Sequence, residues 1–305
     1  MTIGHKKQKE VLERLAKGKN IPHALLFSGI EKIGKKKVAI EFIKSIFCEK
    51  EKGFCGECYS CRSIDSASFP DLSIIEAKDR NIEIEEVRDL QNRLSLKSYN
   101  NSLKVGIIDD AHLMRKDAQN ALLKVLEEPK GDTLLILITS YPQMLLPTVR
   151  SRLEEIKFSV IPRKEIEDYL VSLGADIEKT KEIALISSGQ VGKAIEFLND
   201  EDKLKFFNKA IKDIISLAHS EMYKRFDFAK EFKENQDEIV NVLDIWERFM
   251  RREILLKVYG NKGSLENYSL KRIKEIIDEL EKTKYLIENT NVNKKLALEN
   301  LLITL

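Results

Sequence analysis

HALLFSGIEKIGKKKVAIEFIK, residues 23–44, passes from an apolar strand through a glycine-bounded loop into an amphipathic helix. Within it, Gly29-Ile-Glu-Lys-Ile-Gly34-Lys35-Lys36 has the spacing of G-x-x-x-x-G-K-[ST], in the strand–loop–helix setting that such a phosphate-binding loop requires. In a working loop the backbone N–H groups cradle phosphates, the lysine reaches the outer ones, and the next hydroxyl binds Mg2+. Lys36 stands where that hydroxyl belongs. An ammonium cannot ligate Mg2+, so metal-dependent hydrolysis is expected to be badly weakened while phosphate binding stays open. The same residues also read as a glycine-kinked turn with a solvated lysine run, Lys35 to Lys37.

Three later segments bear on that choice. Lys104-Val-Gly-Ile-Ile-Asp109-Asp110-Ala-His112 is an apolar strand ending in two acids, the form of a Walker B element in which the first acid holds Mg2+ and the second orients water. Asp110 is one methylene shorter than the usual Glu, and acids at a strand end also serve as ordinary helix caps. Leu134-Leu-Ile-Leu-Ile-Thr139-Ser140 is a buried strand ending in hydroxyls, as expected of a polar sensor beside a nucleotide. Leu146-Pro-Thr-Val-Arg150-Ser151-Arg152 then places two arginines just beyond it, where solvated charge is the plain reading.

Between the loop helix and the next strand, CEKEKGFCGECYSC holds all 4 cysteines of the chain: Cys48, Cys55, Cys58 and Cys61, spaced C-x6-C-x2-C-x2-C. Gly53 and Gly56 let the backbone fold back so that several thiolates reach one centre. Four sulfurs suit tetrahedral zinc, and the absence of any His, Asp or Glu at ligand spacing points to a structural ion. An iron–sulfur cluster is the alternative metal. Disulfides fit poorly, since cysteines this close pair with difficulty and the charged, signal-free context implies a reducing compartment.

Strand-like runs alternate with helical segments up to about residue 160, which predicts crossover units and a largely parallel sheet. PRKEIEDYLVSLG, DIEKTKEIALISSG and GKAIEFLN follow as three short helices. Beyond about residue 205, long periodic segments dominate, as in DEIVNVLDIWERFMRREILLKVYG, where Ile239, Val242, Leu243, Trp246, Phe249, Met250 and Leu256 recur at helical spacing. Trp246 reads as a core or interface anchor and not as a cofactor contact. His5, His23, His112 and His219 read as packing or capping residues without a metal role. Lys+Arg (52) and Asp+Glu (50) nearly cancel to +2 over 305 residues, so polyanion binding must come from local patches; Lys97, Lys104, Arg115 and Lys116 are candidates for a DNA backbone, or simply a solvated helix face. The amino terminus carries no apolar signal core, and the Leu134–Ile138 run is too short to span a bilayer, so a cytoplasmic protein with no membrane partner is expected.

Taken together, HALLFSG, the loop, the cysteine module, IIDDAH, AQNALLKVLEEP, LLPTVRSR and the closing ENTNVNKKLALENLL resemble the delta-prime family of bacterial DNA polymerase III subunits, in the clamp-loader group of AAA+ proteins. The resemblance is close over the first 160 residues and one of layout beyond. It implies an α/β AAA+ core of the P-loop NTPase type over 1–160 with a zinc module at 48–61, a small helical lid at 161–204, and an all-α collar at 205–305 that joins subunits. It implies as partners the tau/gamma motor subunits and delta, with the sliding clamp and primer-template DNA. Ser151-Arg152-Leu153 keeps the first two residues of the family's Ser-Arg-Cys, so Arg152 resembles the arginine finger that reaches a neighbour's ATP site. The lid's Gly-x-x-Arg sensor has Gly192 in place of the arginine. With Lys36, that departure favours a non-hydrolysing stator, with Gly29, Gly34, Lys35, Lys36, Asp109, Asp110 and Thr139 forming a degenerate site where ATP or ADP docking stays open. A self-sufficient AAA+ motor and a zinc-dependent DNA-binding module are the competing readings.

Overall fold

The structure, a computed structural model, describes residues 2–18, 21–50, 53–77, 81–98, 103–232, 236–260 and 262–305; Glu51 and Lys52 of the cysteine stretch lie outside the described residues. The chain divides into two units, residues 1–198 and 199–305.

The first unit runs α1 (Lys6–Lys17), β1 (Ala24–Ser28), α2 (Lys35–Phe47), α3 (Tyr59–Asp65), β2 (Leu72–Ile75), α4 (Ile84–Ser95), β3 (Lys104–Ile108), α5 (Lys116–Glu127), β4 (Thr133–Thr139), α6 (Pro147–Arg150), β5 (Glu154–Lys157), α7 (Arg163–Ser172), α8 (Ile177–Ile186) and α9 (Val191–Asn199). Among the described residues, its five strands are all parallel in the order β2-β3-β4-β1-β5. Parallel sheets covered on both faces need strands that are apolar throughout, and β1 and β4 are buried at every position. The period of two sorts them: Leu25 and Phe27 pack with Leu12 of α1 and Val38, Phe42 and Ile43 of α2, whereas Ala24 and Leu26 pack with Leu90 and Leu94 of α4 and Leu122 of α5. Because β1 lies between β4 and β5, the chain leaves it in one direction and returns on the other side. Such a reversal of strand order leaves a crevice at the carboxyl ends of the strands, which is where ligands bind open α/β sheets.

Gly106 on β3 lets α4 come close, since a Cβ there would stand 3.2 Å from the δ-methyls of Leu90 and Leu135 and 3.3 Å from that of Leu94. Gly106→Val is therefore expected to overpack this layer and cost about 1–3 kcal/mol, read as a lower denaturant midpoint with an unchanged slope.

Helix starts follow their caps. Asp176 accepts from the N–H groups of Glu178 and Lys179 at the head of α8, and the Glu83 N–H donates to Glu86 at 3.0 Å at the head of α4.

Among the described residues, the regular structure of the second unit is all helical: α10 (Glu201–Ala218), α11 (Met222–Glu231), α12 (Gln236–Val258), α13 (Leu270–Asn289) and α14 (Lys294–Thr304). Its core centres on α12, whose Ile239, Val242, Leu243, Trp246, Phe249 and Met250 are buried as the periodicity predicted, while Leu256 is half-buried. Trp246 satisfies its indole N–H on the Ala210 carbonyl at 2.8 Å and stacks on Phe228. Glu253, 1% exposed, faces the same interior and accepts from the Leu265 N–H at 3.0 Å, so it organises the loop leading to α13. No helix among the described residues is long and apolar enough to cross a membrane.

Candidate functional site

The crevice at the strand ends is a cleft of about 590 Å3 lined by Gly34, Lys35, Lys36, Asp109, Asp110 and Ser140, with Thr2 and Gly192 at its sides. Two glycines shape the loop that forms its floor. Gly29 has φ 149°, and a Cβ there would stand 2.5 Å from the Phe158 carbonyl oxygen; Gly34 has φ 97° and heads α2 without a side-chain cap. The first-turn N–H groups of α2 therefore lack intrahelical partners, the usual anion-facing end of a helix.

Lys35 is buried, and its ammonium donates to the carbonyls of Gly29 and Ile30 at 2.6 and 2.7 Å and to Ser140 Oγ at 3.1 Å. Burial lowers its pKa to about 8, against the opposing pull of Asp110, Asp109 and Glu31. Lys36 behaves differently. Its ammonium lies 2.8 Å from Glu76 Oε1 and 3.3 Å from Asp109 Oδ2, two acids that directly follow the neighbouring strands β2 and β3. Burial alone would lower its pKa, but the Glu76 hydrogen bond and the Asp109 charge outweigh that and raise it. Asp110, in the left-handed region at φ 48°, has its pKa raised by burial and by Asp109.

The cleft fits a nucleotide and does not fit its metal. Glycine loop, helix end and Lys35 are what a di- or triphosphate needs. A divalent ion needs a hydroxyl beside a free carboxylate; Lys36 supplies an ammonium and already occupies Asp109.

Thr139, 0% exposed, sits one residue behind the cleft, its hydroxyl bonded to His112 Nδ1 at 3.2 Å and accepting from the Tyr141 N–H at 3.0 Å. Ser140 is the hydroxyl that faces the cleft. Gly192 donates its N–H to the Lys32 carbonyl at 2.7 Å, and a Cβ on it would stand 3.0 Å from that oxygen, a tight approach that a side chain there would have to ease by a small shift of Lys32. Of the histidines, His5 bonds the Ile33 carbonyl at 2.8 Å, His23 that of Leu126 at 3.1 Å, and His219 ends α10, whereas His112 also lines the cleft, its pKa lowered by burial.

Arg152 lies outside the cleft lining, on the surface just after α6. Its guanidinium is held at both ends, Nη1 donating to the Thr148 carbonyl at 2.8 Å and Nη2 lying 2.7 Å from Glu127 Oε1. Ser151 donates to the same Thr148 carbonyl at 3.1 Å. Of the candidate DNA-contacting cations, Lys97 and Lys104 border one surface cleft with Lys130, while Arg115 pairs with Glu83 at 3.1 Å.

The four cysteines form a separate site in the same unit. None is disulfide-bonded, and their Sγ atoms all lie within 4.8 Å of one another. Cys48 closes α2 and Cys58 caps α3, so the helix that starts at the glycine loop ends at the first thiol. Gly53 and Gly56, both at positive φ, make the turns between them. Backbone N–H groups point at sulfur: Cys55 at Cys48 Sγ (3.3 Å), Cys58 at Cys55 Sγ (3.2 Å) and Cys61 at Cys58 Sγ (3.5 Å). Those N–H groups lower the Cys55 and Cys58 pKa values, while burial raises that of Cys61. Four sulfurs converging in this way, with backbone N–H groups aimed at Cys48, Cys55 and Cys58, are a set that could hold a tetrahedral ion.

A family model described as DNA polymerase III, delta subunit, matches residues 4–162. DNA polymerase III subunit delta' of Bacillus subtilis is 30% identical over 278 residues, covering 87% of this chain and 83% of that protein. The subunit delta' of Pseudomonas aeruginosa is 37% identical over 134 residues, 43% of this chain and 41% of that one. Among solved structures, a DNA polymerase III gamma subunit-related protein of Thermotoga maritima covers 97% of each chain with a TM-score of 0.52 at 17% identity, a likeness of fold alone.

Proposed function

The chain belongs to the delta-prime family of DNA polymerase III clamp-loader subunits, and from that premise we propose that it hydrolyses no ATP itself and lends Arg152 to the ATP site of a neighbouring subunit. One observation carries the reading: the Lys36 ammonium, 3.3 Å from Asp109, takes the carboxylate that a catalytic Mg2+ would need. Mg2+ in a working site of this type neutralises charge on the transferring phosphoryl group, and without a seat for it the cleft cannot run the reaction. Gly192 and the short side chain of Asp110 push the same way.

In this reading Ser151 and Thr148 build the exposed turn that presents Arg152, and Glu127 with the Thr148 carbonyl keeps its guanidinium extended. A planar cation presented in trans stabilises the charge that develops on a γ-phosphoryl group. Residues 1–160 act as the core, 161–204 as its lid and 205–305 as the collar that joins tau/gamma and delta subunits. The complete ring places the sliding clamp on primer-template DNA in the cytoplasm. Cys48, Cys55, Cys58 and Cys61 hold a structural zinc.

The purified chain is expected to release no phosphate from ATP above background, with or without primed DNA, and an assembly reconstituted without it should lose most of its turnover. Steady hydrolysis by the chain alone, absent from a Lys35→Ala preparation, would make it a motor and end this reading.

A further inference from the structure

We infer that α9 is clasped to the glycine loop by Lys32, so that the lid is held over the cleft by the chain's own contacts, independently of any ligand. The inference rests on counting α9 as part of the lid and not on the role of Arg152. Lys32 stands in the middle of the loop, in the left-handed region at φ 57°. A residue with a side chain keeps that conformation where its surroundings hold it. Here one helix holds both ends of the residue. The Lys32 carbonyl accepts the Gly192 N–H at 2.7 Å, and the Lys32 ammonium donates to both carboxylate oxygens of Glu196, at 2.8 and 2.7 Å. Gly192 and Glu196 are four residues apart on α9, so they share one face, and that face meets the loop.

The closeness of the contact depends on what α9 lacks. Gly192 brings no side chain, and a Cβ on it would stand 3.0 Å from the Lys32 oxygen and 3.1 Å from the Lys32 Cβ. N–H groups in the first turn of a helix have no partner within the helix and are free to meet an anion. In α9 the Gly192 N–H is spent on the loop carbonyl instead, so the lid reads the loop and not a ligand's phosphates. A second fastening lies just before the helix, where the Gly189 carbonyl accepts the Ile161 N–H at 3.1 Å and ties the turn ahead of α9 to the segment that follows β5.

These contacts set the shape of the cleft. Val191, Gly192 and Ile195 of α9 line one side of it, and Gly34, Lys35 and Asp109 line another. The ion pair is the adjustable part of the clasp, because its side chains are 42% and 41% exposed and salt screens them. The main-chain bond from Gly192 is the part that reports directly, since its amide proton exchanges only when α9 leaves the loop.

The test is residue-resolved amide exchange on the full chain without nucleotide, following Gly192 and the rest of α9 against β4. The Gly192 amide should be protected. Glu196→Ala should speed its exchange about two- to fivefold, the range that an exposed ion pair supplies. Glu196→Lys should speed it about tenfold or more by setting two ammoniums against each other, while β4 holds within about twofold. Lys32→Glu combined with Glu196→Lys rebuilds the pair with its charges exchanged and should return Gly192 to within about twofold of wild type. In the wild-type chain, raising NaCl from about 0.05 to 1 M should speed Gly192 and spare β4, a measurement that needs no variant to fold. A Gly192 amide that exchanges as in an unfolded segment, one that ignores both Glu196→Lys and salt, equal acceleration in α9 and β4, a charge exchange that fails to recover, or protection that appears only when ADP is added would each overturn the inference. None of these outcomes touches the proposed role of Arg152, which stands or falls on turnover in the assembly.

Discussion

Replacing Arg152 with alanine is expected to lower ATP turnover at the one neighbouring site that receives it by about 10³-fold or more, the range seen where a guanidinium acts in trans on a phosphoryl group. The chain itself should be unaffected. Arg152 is exposed, its ion pair with Glu127 lies at the surface, and such pairs contribute about 0–1 kcal/mol, so melting temperature and assembly should hold. Arg152→Lys should not restore the rate, because a point charge lacks the planar fork that spans two phosphate oxygens. The measurement is single-turnover hydrolysis in a reconstituted assembly in which the other motor sites carry a blocked phosphate loop. Turnover at the receiving site within about threefold of wild type for Arg152→Ala would remove the finger assignment, since chemistry that feels so little, under roughly 0.7 kcal/mol, cannot be using the residue.

The sequence made the apolar strands legible and left the charged edge strand obscure, for physical reasons. β1, β3 and β4 announce themselves because strands buried on two faces must be apolar along their length, and HALLF, KVGII and TLLILIT are; β2 is an edge strand, half-buried over most of its length, yet its LSII is apolar enough to be read as well. β5, Glu154–Lys157, pairs only with β1, so one backbone edge and most of its side chains face water; its EEIK carries no pattern distinguishable from a charged turn. α1 escaped notice although Val11, Leu12, Leu15 and Ala16 recur at helical spacing and pack on the core, because its lysine-rich outer face makes the segment read as a charged terminus.

The site divides in the same way. Spacing alone brings the loop, the paired acids and the four cysteines into view, because phosphate and metal sites fix local geometry. Partnerships across the fold do not show in spacing. That Lys36 would meet Glu76 as well as Asp109, that Ser140 rather than Thr139 would face the cleft, and that Glu127 would hold Arg152 all depend on how distant segments are placed. The LEE of α5 and the SR after α6 could have been paired in advance only by knowing that the two helices pack together.

Metal content should follow the cysteines with an equally large effect. The purified chain is expected to hold one zinc, and Cys55→Ser combined with Cys58→Ser to hold none, because losing two of four thiolates forfeits most of the roughly 10–16 kcal/mol that zinc binding supplies in small structural sites. Where that energy is felt is decided by the packing around the cluster. Lys44 of α2 ties the module to the core through its ion pair with Asp65 and its contact with the Phe54 ring, while Ile64 of α3 is buried in the layer beneath β1. The rest of that layer is made mainly by β1, β3, β4, β5, α1 and α2, none of which needs the ion to be buried. Chelation should therefore speed amide exchange across residues 53–61 and leave exchange in β1 and β4 unchanged. Cooperative melting of the whole first unit on metal removal would mean that the module supports the core instead of resting on it. A brown preparation carrying iron would replace zinc with an iron–sulfur cluster, and an untouched exchange profile with no bound metal would leave the converging thiols without the ion that their N–H donors await.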